Sequence, residues 1–346
     1  VTVHNERQKA TVSITKAIED NPIFPNPDAY QAIRFGIFSA QDFKNNSGTV
    51  AIPKDSLMDI ISINENLKGT SSVDLPIGNF YLRELQTAPG WALDETEYPF
   101  SFSAQPQEVQ HVTVEPNGGQ PISNETIKGY VELTKTDATY GGTLANAVYG
   151  IYTENGTQAG TLTTDSSGYA KSGPLPYGSY YLQEITAPDG VVLDPNQYPF
   201  TINDQATVLT MNQEDASQQA NILITKMGER LTGADQSDTE FGPQYSPIYG
   251  VEALTGAVYE IYANEDIYSP GGILLHSTDD LVTTVNGGEV STDLPLGEYR
   301  IVEKTAPEGF VLDTTPHIVD LTYKGQNISV YTEPVSYTHL TLPTIR

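Results

Sequence analysis

One stretch of the chain occurs three times and divides the sequence into repeats. In the middle copy it runs from Leu175 to Gly190 and reads LPYGSYYLQEITAPDG; the other copies begin at Leu75 and Leu294. In each copy a glutamate lies six residues after the LPxG glycine and six before the next glycine, and a Leu-Asp pair follows. Spacing kept this closely over three copies indicates three structural units.

The runs around this stretch are typical of β-strands. Each repeat opens with an alternating run that ends in lysine: VSITK at 12–16, VELTK at 131–135 and ILITK at 222–226. A second run, AVYGIY in the middle repeat, precedes the LPxG turn, and a closing run such as 207–212 follows the glutamate. Short β-branched and aromatic runs separated by Gly, Pro and Asn turns predict an all-β fold of tandem sandwiches.

Boundaries just before each lysine run predict three repeats. They cover 9–126, 127–217 and a C-terminally truncated 218–335, with 1–8 as the end of a truncated preceding repeat and 336–346 as a non-native tail that continues no strand pattern. The first and third repeats carry insertions, at about 41–70 and 230–256. The first insertion is expected to contain a short helix capped by Asp55, and the second to be a long surface loop.

Composition excludes several classes of function. The net charge of −27 and the pI near 4.3 give a field that repels phosphate backbones and anionic lipid, so neither nucleic-acid binding nor membrane contact is expected. No run is long and apolar enough to span a bilayer. The chain has no cysteine, which rules out disulfides, thiolate metal sites and cysteine nucleophiles. No sequence pattern indicates a metal or a cofactor, and neither is expected.

The alternation of the strands places charged residues on the apolar face. In each run the lysine lies two and four residues after aliphatic residues. Because successive strand residues point to opposite faces, the lysine shares the face of those aliphatic residues. The three lysines are Lys16, Lys135 and Lys226. Glu84, Glu184 and Glu303 likewise share a face with apolar residues in their own strands. An unpaired buried ion costs several kcal/mol, so each lysine is expected to meet the glutamate of its repeat. A structural ion pair is one explanation of this pairing.

Asparagines offer a third partner for the pairs of the first two repeats. Asn124 lies eleven residues before Lys135, and Asn5 lies eleven before Lys16. Asn212 closes the run of the second repeat. In the first repeat Asn117 is an alternative to Asn124, because Val112-Thr113-Val114 is itself a possible closing strand. The third repeat has no matching asparagine.

These blocks together resemble a known family. The patterns [VIL]-x-[IL]-T-K, A-V-Y-x-I-Y, L-P-x-G-x-Y and E-x-T-A-P-x-G, with a closing asparagine, are similar to the Cna B-type, SpaA-like repeats of Gram-positive surface proteins and pili, and the glutamate stretch resembles the pilin E-box. The resemblance implies tandem prealbumin-like, that is reverse immunoglobulin-like, β-sandwiches. It also implies a spontaneous isopeptide bond between lysine and asparagine, assisted by the glutamate.

The roles implied by the resemblance fall on specific residues. Lys135 and Lys16 are the nucleophiles, Glu184 and Glu84 the catalytic acid/bases, and Asn212 and Asn124 the acceptors. Lys226 and Glu303 are candidates left without an acceptor, which is expected to have been lost with the truncated end. Burial lowers the pKa of a lysine and raises that of a glutamate, which makes the amine nucleophilic and lets the carboxyl carry a proton.

The expected function is a structural stalk segment of a protein on the Gram-positive cell wall or pilus, outside the cell, whose partners are its own neighbouring repeats. It is not an enzyme beyond the single turnover that forms its own bond. The alternative is an adhesin whose insertions at 41–70 and 230–256 bind the host extracellular matrix or another surface protein. The middle repeat favours the stalk, since it carries no insertion that could recognise a ligand.

Overall fold

The computed structural model describes residues 2–338, and among them it contains β-strands and two short 3-10 helices but no α-helix. No helix in this part of the chain has the length and apolar composition needed to cross a membrane. The strands pair within three successive groups, which are called units one, two and three below. Each unit encloses its own apolar cluster.

Unit two has the simplest arrangement. Its strands are β11 Lys128–Asp137, β12 Val148–Thr153, β13 Gln158–Thr163, β14 Tyr169–Lys171, β15 Leu175–Pro176, β16 Gly178–Thr186, β17 Gln197–Ile202 and β18 Val208–Asp215. One sheet has the order β13-β12-β16-β17, and in the other β11 pairs antiparallel with β14 and β15 and parallel with β18. The first and last strands of the unit are therefore parallel neighbours, while the glutamate strand β16 lies in the opposite sheet.

Unit one repeats this plan. Its strands are β1 Lys9–Ile18, β2 Arg34–Ser39, β3 Phe43–Lys44, β4 Val50–Ile52, β5 Leu57–Ser62, β6 Lys68–Thr70, β7 Gly78–Gln86, β8 Tyr98–Phe102, β9 His111–Val114 and β10 Ile122–Asn124, and its 3-10 helices are Ala29–Ala32 and Pro116–Gly119. The glutamate sheet is β5-β2-β7-β8. The closing strand is split in two, because both β9 and β10 pair parallel with β1.

Unit three keeps the two sheets and adds a long hairpin. Its strands are β19 Gln219–Thr239, β20 Gly242–Ala253, β21 Val258–Ala263, β22 Ile267–Tyr268, β23 Leu274–His276, β24 Leu281–Asn286, β25 Leu294–Pro295, β26 Gly297–Thr305, β27 His317–Leu321 and β28 Val330–Thr338. The glutamate sheet is β24-β21-β26-β27, and β19 pairs parallel with β28.

Both predicted insertions have a different structure from the expected one. The helix expected after Asp55 is instead strand β5, which pairs with β2 and so supplies the sheet with the strand that β13 supplies in unit two. Only the small β3–β4 hairpin within 41–70 has no counterpart in unit two. The expected loop at 230–256 is largely the β19–β20 hairpin. In both places strand pairing outweighs the local pattern, since β propensity depends strongly on context.

The end of the described chain also differs from the prediction. Strand β28 continues through Thr338, so Ser336, Tyr337 and Thr338 pair with β19 although they were expected to belong to the tail. The other residues of the predicted tail, 339–346, lie outside the described residues.

The junction between units one and two is packed. Phe24 of unit one lies edge-on to Tyr180 of unit two, with ring centroids 5.3 Å apart, and it packs against the unit-two core. A Cβ atom at Gly178 would overlap the Phe24 ring, so this glycine permits the close approach. Glu19 adds polar contacts, accepting from the Thr126 N–H at 2.7 Å and from Lys128 Nζ at 2.7 Å.

The Phe24 contact predicts a measurable coupling between units one and two. Phe24→Ala should lower the free energy of unfolding by about 1–3 kcal/mol. The half-buried ring covers apolar surface of unit two, and its removal exposes that surface to water. Calorimetry of the full chain measures the loss. Phe241→Ala is the matched control, since that ring is 92% exposed and its removal should change little. Equal melting temperatures for the two variants would contradict the prediction.

Candidate functional site

Each unit buries its lysine inside the sandwich. Lys16, Lys135 and Lys226 are 2%, 0% and 1% exposed, so none of the ammonium groups reaches bulk water. Up to the lysine, each strand alternates between buried and less buried side chains, and the lysine follows two apolar inward residues. The parity predicted from the sequence is therefore present in all three units.

The glutamates meet these lysines from the opposite sheet. The distance from lysine Nζ to glutamate Oε1 is 3.8 Å for Lys16 and Glu84, 3.4 Å for Lys135 and Glu184, and 3.1 Å for Lys226 and Glu303. All three glutamates are at most 5% exposed. The pairs lie across the core between the two sheets, where water cannot screen them.

In unit one the structure brings the predicted acceptor to this pair. Lys16 lies opposite Ile122 in the parallel β1–β10 ladder, and Asn124 is the next inward residue of β10. Asn124 Nδ2 donates to Glu84 Oε2 at 2.7 Å and to the Ala92 carbonyl at 2.7 Å. Lys16 Nζ donates to the Ile122 carbonyl at 2.9 Å. The alternative, Asn117, lies exposed in the 3-10 turn Pro116–Gly119 and is not part of the site.

In unit two the predicted acceptor is on the wrong face. Asn212 lies opposite Thr134 and its side chain is exposed. The residue that enters the core is Asp215, which is 2% exposed and pairs with Lys135 Nζ through Oδ1. Lys135 lies opposite Gln213 and Asp215 is two residues further, so Asp215 occupies the position that Asn124 occupies in unit one. The assignment of Asn212 is therefore corrected to Asp215.

Two signals in the sequence pointed to Asp215. It lies eleven residues before Lys226, the same spacing that separates Asn124 from Lys135. It also shares parity with Leu209 and Met211, the partly buried apolar residues of β18. The pattern implied by the resemblance contains an asparagine, whereas unit two carries an aspartate in the equivalent place.

In unit three the lysine and glutamate are paired but no acceptor lies beside them in the described residues. Lys226 Nζ donates to Glu303 Oε2 at 3.2 Å, and Tyr259 OH lies 3.5 Å from Glu303 Oε1. Lys226 lies opposite Tyr337 in the β19–β28 ladder. The position that corresponds to Asn124 and Asp215 is two residues further and lies outside the described residues.

Burial favours the neutral forms of four of the buried groups. Burial lowers the pKa of Lys16 to about 8, although the charge of Glu84 opposes the change. It raises the pKa of Glu84, against the hydrogen bonds from Asn124 and from the Asp94 N–H. It raises the pKa of Glu184 to about 7 and also raises that of Asp215. In unit one burial thus favours both a neutral amine and a neutral carboxyl.

The aromatic residue beside the lysine differs between the first two units. In unit two Lys135 Nζ donates to Tyr149 OH at 2.7 Å. In unit one the corresponding residue is Phe35, whose ring centroid lies 5.7 Å from Lys16 Nζ. The unit with two buried carboxyls therefore has an additional hydroxyl at the amine, and the unit with an amide acceptor does not.

The family model for the SpaA prealbumin-like fold domain matches residues 129–216 and 248–334. These ranges cover unit two and most of unit three, together half of the chain. The chain therefore belongs to the SpaA prealbumin-like fold family. Unit one has the same sheet topology, with an added hairpin and a split closing strand. No curated protein sequence matches the chain.

One solved structure resembles the chain in fold, and two pilin structures align with most of its length. The Bacillus anthracis TIE protein aligns with 96% of this chain at 21% identity and a TM-score of 0.61, and the chain spans about half of that structure, 51%. A streptococcal ancillary pilin aligns with 94% of this chain and 99% of its own at 17% identity, with a TM-score of 0.31. BcpA, the major pilin subunit of Bacillus cereus, aligns with 95% of this chain and 99% of its own at 14% identity, with a TM-score of 0.34.

The buried pair in unit three predicts a large penalty when one partner is removed. Lys226→Ala leaves Glu303 buried without its cation, which should destabilise unit three by about 3–5 kcal/mol. Hydrogen–deuterium exchange of peptides from β19 and β26 measures the loss locally. The control is Lys304→Ala, which breaks an ion pair to Glu260 whose lysine side chain is 60% exposed. It should change stability little, because water screens exposed ion pairs. Similar exchange in both variants would contradict the prediction.

Proposed function

We propose that this chain is a stalk segment of a Gram-positive cell-surface or pilin-like protein, and that units one and two each close themselves with an intramolecular isopeptide bond. The bonds join Lys16 to Asn124 and Lys135 to Asp215. The observation that carries the proposal is the repeated placement of a buried lysine, a buried glutamate and an amide or carboxyl at one register of the first and last strands.

In unit one the reaction is an aminolysis of an amide. The neutral Lys16 amine attacks Asn124 Cγ, the C–N bond to the side-chain nitrogen breaks, and ammonia leaves. Glu84 takes a proton from the attacking nitrogen and gives one to the leaving nitrogen, since its Oε2 already contacts Asn124 Nδ2. Folding holds the reacting groups together, which replaces a bimolecular encounter by an intramolecular step.

In unit two the same step is a condensation. The Lys135 amine attacks Asp215 Cγ, a C–O bond breaks and water leaves. The acid must be protonated for its hydroxyl to leave, and burial raises the pKa of Asp215 towards that state. Glu184, whose pKa burial raises to about 7, carries the proton between the attacking nitrogen and the leaving oxygen.

The position of the bonds suits a load-bearing role. The first and last strands of each unit are parallel neighbours, so pulling on the chain ends shears one ladder of hydrogen bonds. An amide across that ladder carries the load covalently. It also closes a loop of roughly a hundred residues, for which the cross-link model gives about 4–5 kcal/mol. A chain without cysteine gains in this way what a disulfide would otherwise supply.

The masses of the chain and its variants test the proposal. The purified protein should weigh less than its sequence by one ammonia and one water. Asn124→Ala should restore the ammonia only, and Asp215→Ala the water only, because each removes one acceptor. Peptide mapping should find Lys135 and Asp215 in one cross-linked fragment.

Asn212→Ala is the matched control for Asp215→Ala, since Asn212 lies on the same strand but points outward. It should keep both losses. A chain at its full sequence mass, or a water loss abolished by Asn212→Ala, would contradict the proposal.

A binding role is the second candidate, and the β19–β20 hairpin favours it. Tyr245, Tyr249 and Val251 are 62%, 59% and 45% exposed, and with Pro243 and Pro247 they occupy alternate positions of β20, hence one face. The intervening residues are mostly polar. An exposed face of this composition is typical of interaction sites. Prolines on an edge strand also hinder the addition of a further strand, so a partner would contact the face.

The hairpin can be tested apart from the stalk. A Tyr245→Ser, Tyr249→Ser variant should lose saturable binding to purified extracellular matrix proteins by tenfold or more, roughly the loss expected for removed aromatic hot spots. A Gln244→Ala, Ser246→Ala variant alters the opposite face and should keep the binding. Surface plasmon resonance measures both. No saturable binding by the unchanged chain would rule this role out.

A further inference from the structure

The glutamate of each unit is held by the main chain of an aspartate ten residues later. The N–H of Asp94 donates to Glu84 Oε2 at 2.8 Å, that of Asp194 to Glu184 Oε2 at 3.0 Å, and that of Asp313 to Glu303 Oε2 at 2.7 Å. These aspartates belong to the Leu-Asp pair that follows each repeated stretch. The contact thus occurs in all three units, whatever the acceptor.

The side chain of each aspartate fixes its own turn. Its Oδ1 accepts the N–H two residues later at 3.0 Å, from Thr96, Asn196 or Thr315. Its other oxygen faces the start of the next strand. Tyr98 OH donates to Asp94 Oδ2 at 2.5 Å, Tyr198 OH donates to Asp194 Oδ2, and His317 Nε2 lies 3.8 Å from Asp313 Oδ2. The loop is therefore fastened to the strand beside the glutamate strand.

We propose that Asp94, Asp194 and Asp313 are positioning residues that hold the glutamate carboxyl in one orientation, with Oε2 bound to the loop and Oε1 towards the lysine. The inference rests on the proposed bond formation. In units one and two Oε1 is the glutamate oxygen that the lysine pairs with, while Oε2 takes the main-chain N–H. In unit three Oε2 takes the main-chain N–H, and Lys226 Nζ contacts both oxygens, Oε1 at 3.1 Å and Oε2 at 3.2 Å. A carboxyl held in this way cannot rotate away from the amine, which preserves the geometry that proton transfer needs.

The aspartate also acts through its charge in unit one. Burial is the main cause of the raised pKa of Glu84, and the negative charge of Asp94 raises it further. Burial of Asp94 itself is outweighed by the hydrogen bonds from Thr96 and Tyr98, which lower its pKa and keep it ionised. An ionised carboxylate close to Glu84 thus favours the protonated glutamate, the form that donates to the leaving group.

An ordinary turn of the same kind provides the comparison. Asp165 in unit two accepts the N–H groups of Ser167 and Tyr169 through Oδ1. It is exposed, and its side chain accepts hydrogen bonds from Ser167 and Tyr169, neither of which belongs to the site. Loss of that turn tests what a broken turn does by itself, without any change at the reacting groups.

The rate of mass loss tests the positioning role. The full chain is made by cell-free synthesis, translation is stopped, and the intact mass is followed with time at several pH values. Asp94→Ala should slow the loss of ammonia by roughly ten- to a hundredfold, the order expected for a displaced catalytic group. The water loss of unit two in the same molecule serves as the internal reference. Asp165→Ala should leave both rates unchanged.

The conservative variant separates geometry from charge. Asp94→Asn keeps the Oδ1 acceptor of the turn, so ammonia loss should proceed within a fewfold of the wild-type rate. Since the neutral amide no longer raises the pKa of Glu84, the protonated glutamate is lost at lower pH. The decline in rate with rising pH should therefore begin at a lower pH than in the wild type. If Asp94 acted on stability alone, the rate of ammonia loss in Asp94→Asn would depend on pH as it does in the wild type.

Tyr98→Phe provides a second variant should Asp94→Ala fail to fold, because it removes only the hydroxyl that fastens Asp94 and should slow ammonia loss severalfold. Ammonia loss at the wild-type rate in Asp94→Ala, or in Tyr98→Phe if the former does not fold, would overturn the positioning role alone. An unchanged chain that keeps its full mass would overturn the bond and the positioning role together.

Discussion

The structure depends on a lysine amine and a glutamate carboxyl that face each other across a dry core. Moving either charge alone from water into the sandwich would cost several kcal/mol, so each group is tolerable only because the other is present. The lysine comes from one sheet and the glutamate from the other. Their contact therefore also fixes the position of one sheet relative to the other. Shifting either strand by one residue would turn its charge outward and leave the partner unmatched.

Much of this arrangement could be predicted from the sequence, because strand alternation is a local property. The parity of Lys135 with Val131 and Leu133 is enough to place the amine in the core, and the same holds for Glu184 beside Leu182. The acceptor was harder to find. Strand β18 has only two apolar residues to mark its inner face, and it carries Asp215 where the expected pattern has an asparagine. The β19–β20 hairpin could not be predicted, since its pairing joins residues of ambiguous local preference.

The exchange of Asn124 for Asp215 indicates what the site requires. Both side chains place a carbonyl carbon two residues beyond the lysine's partner on the parallel strand. Neither the nitrogen of an amide nor the hydroxyl of an acid leaves readily by itself, so in the proposed reaction each needs a proton delivered to the departing atom. The role proposed for the glutamate meets this need in the same way for nitrogen and for oxygen. The surroundings then change around it: Tyr149 contacts the amine where a second carboxyl is buried, and Phe35 stands there where it is not.

Placing the acceptor on the last strand links the chemistry to completion of the fold. Until β10 or β18 pairs with the first strand, the lysine has its glutamate but no carbon to attack, and water can still reach the core from the open edge. An amine in contact with water stays protonated and unreactive. Pairing of the last strand excludes the water and delivers the acceptor in one event. The proposed amide would therefore form only in a unit whose first and last strands already lie side by side, so it would fix a finished fold and could not trap an unfinished one.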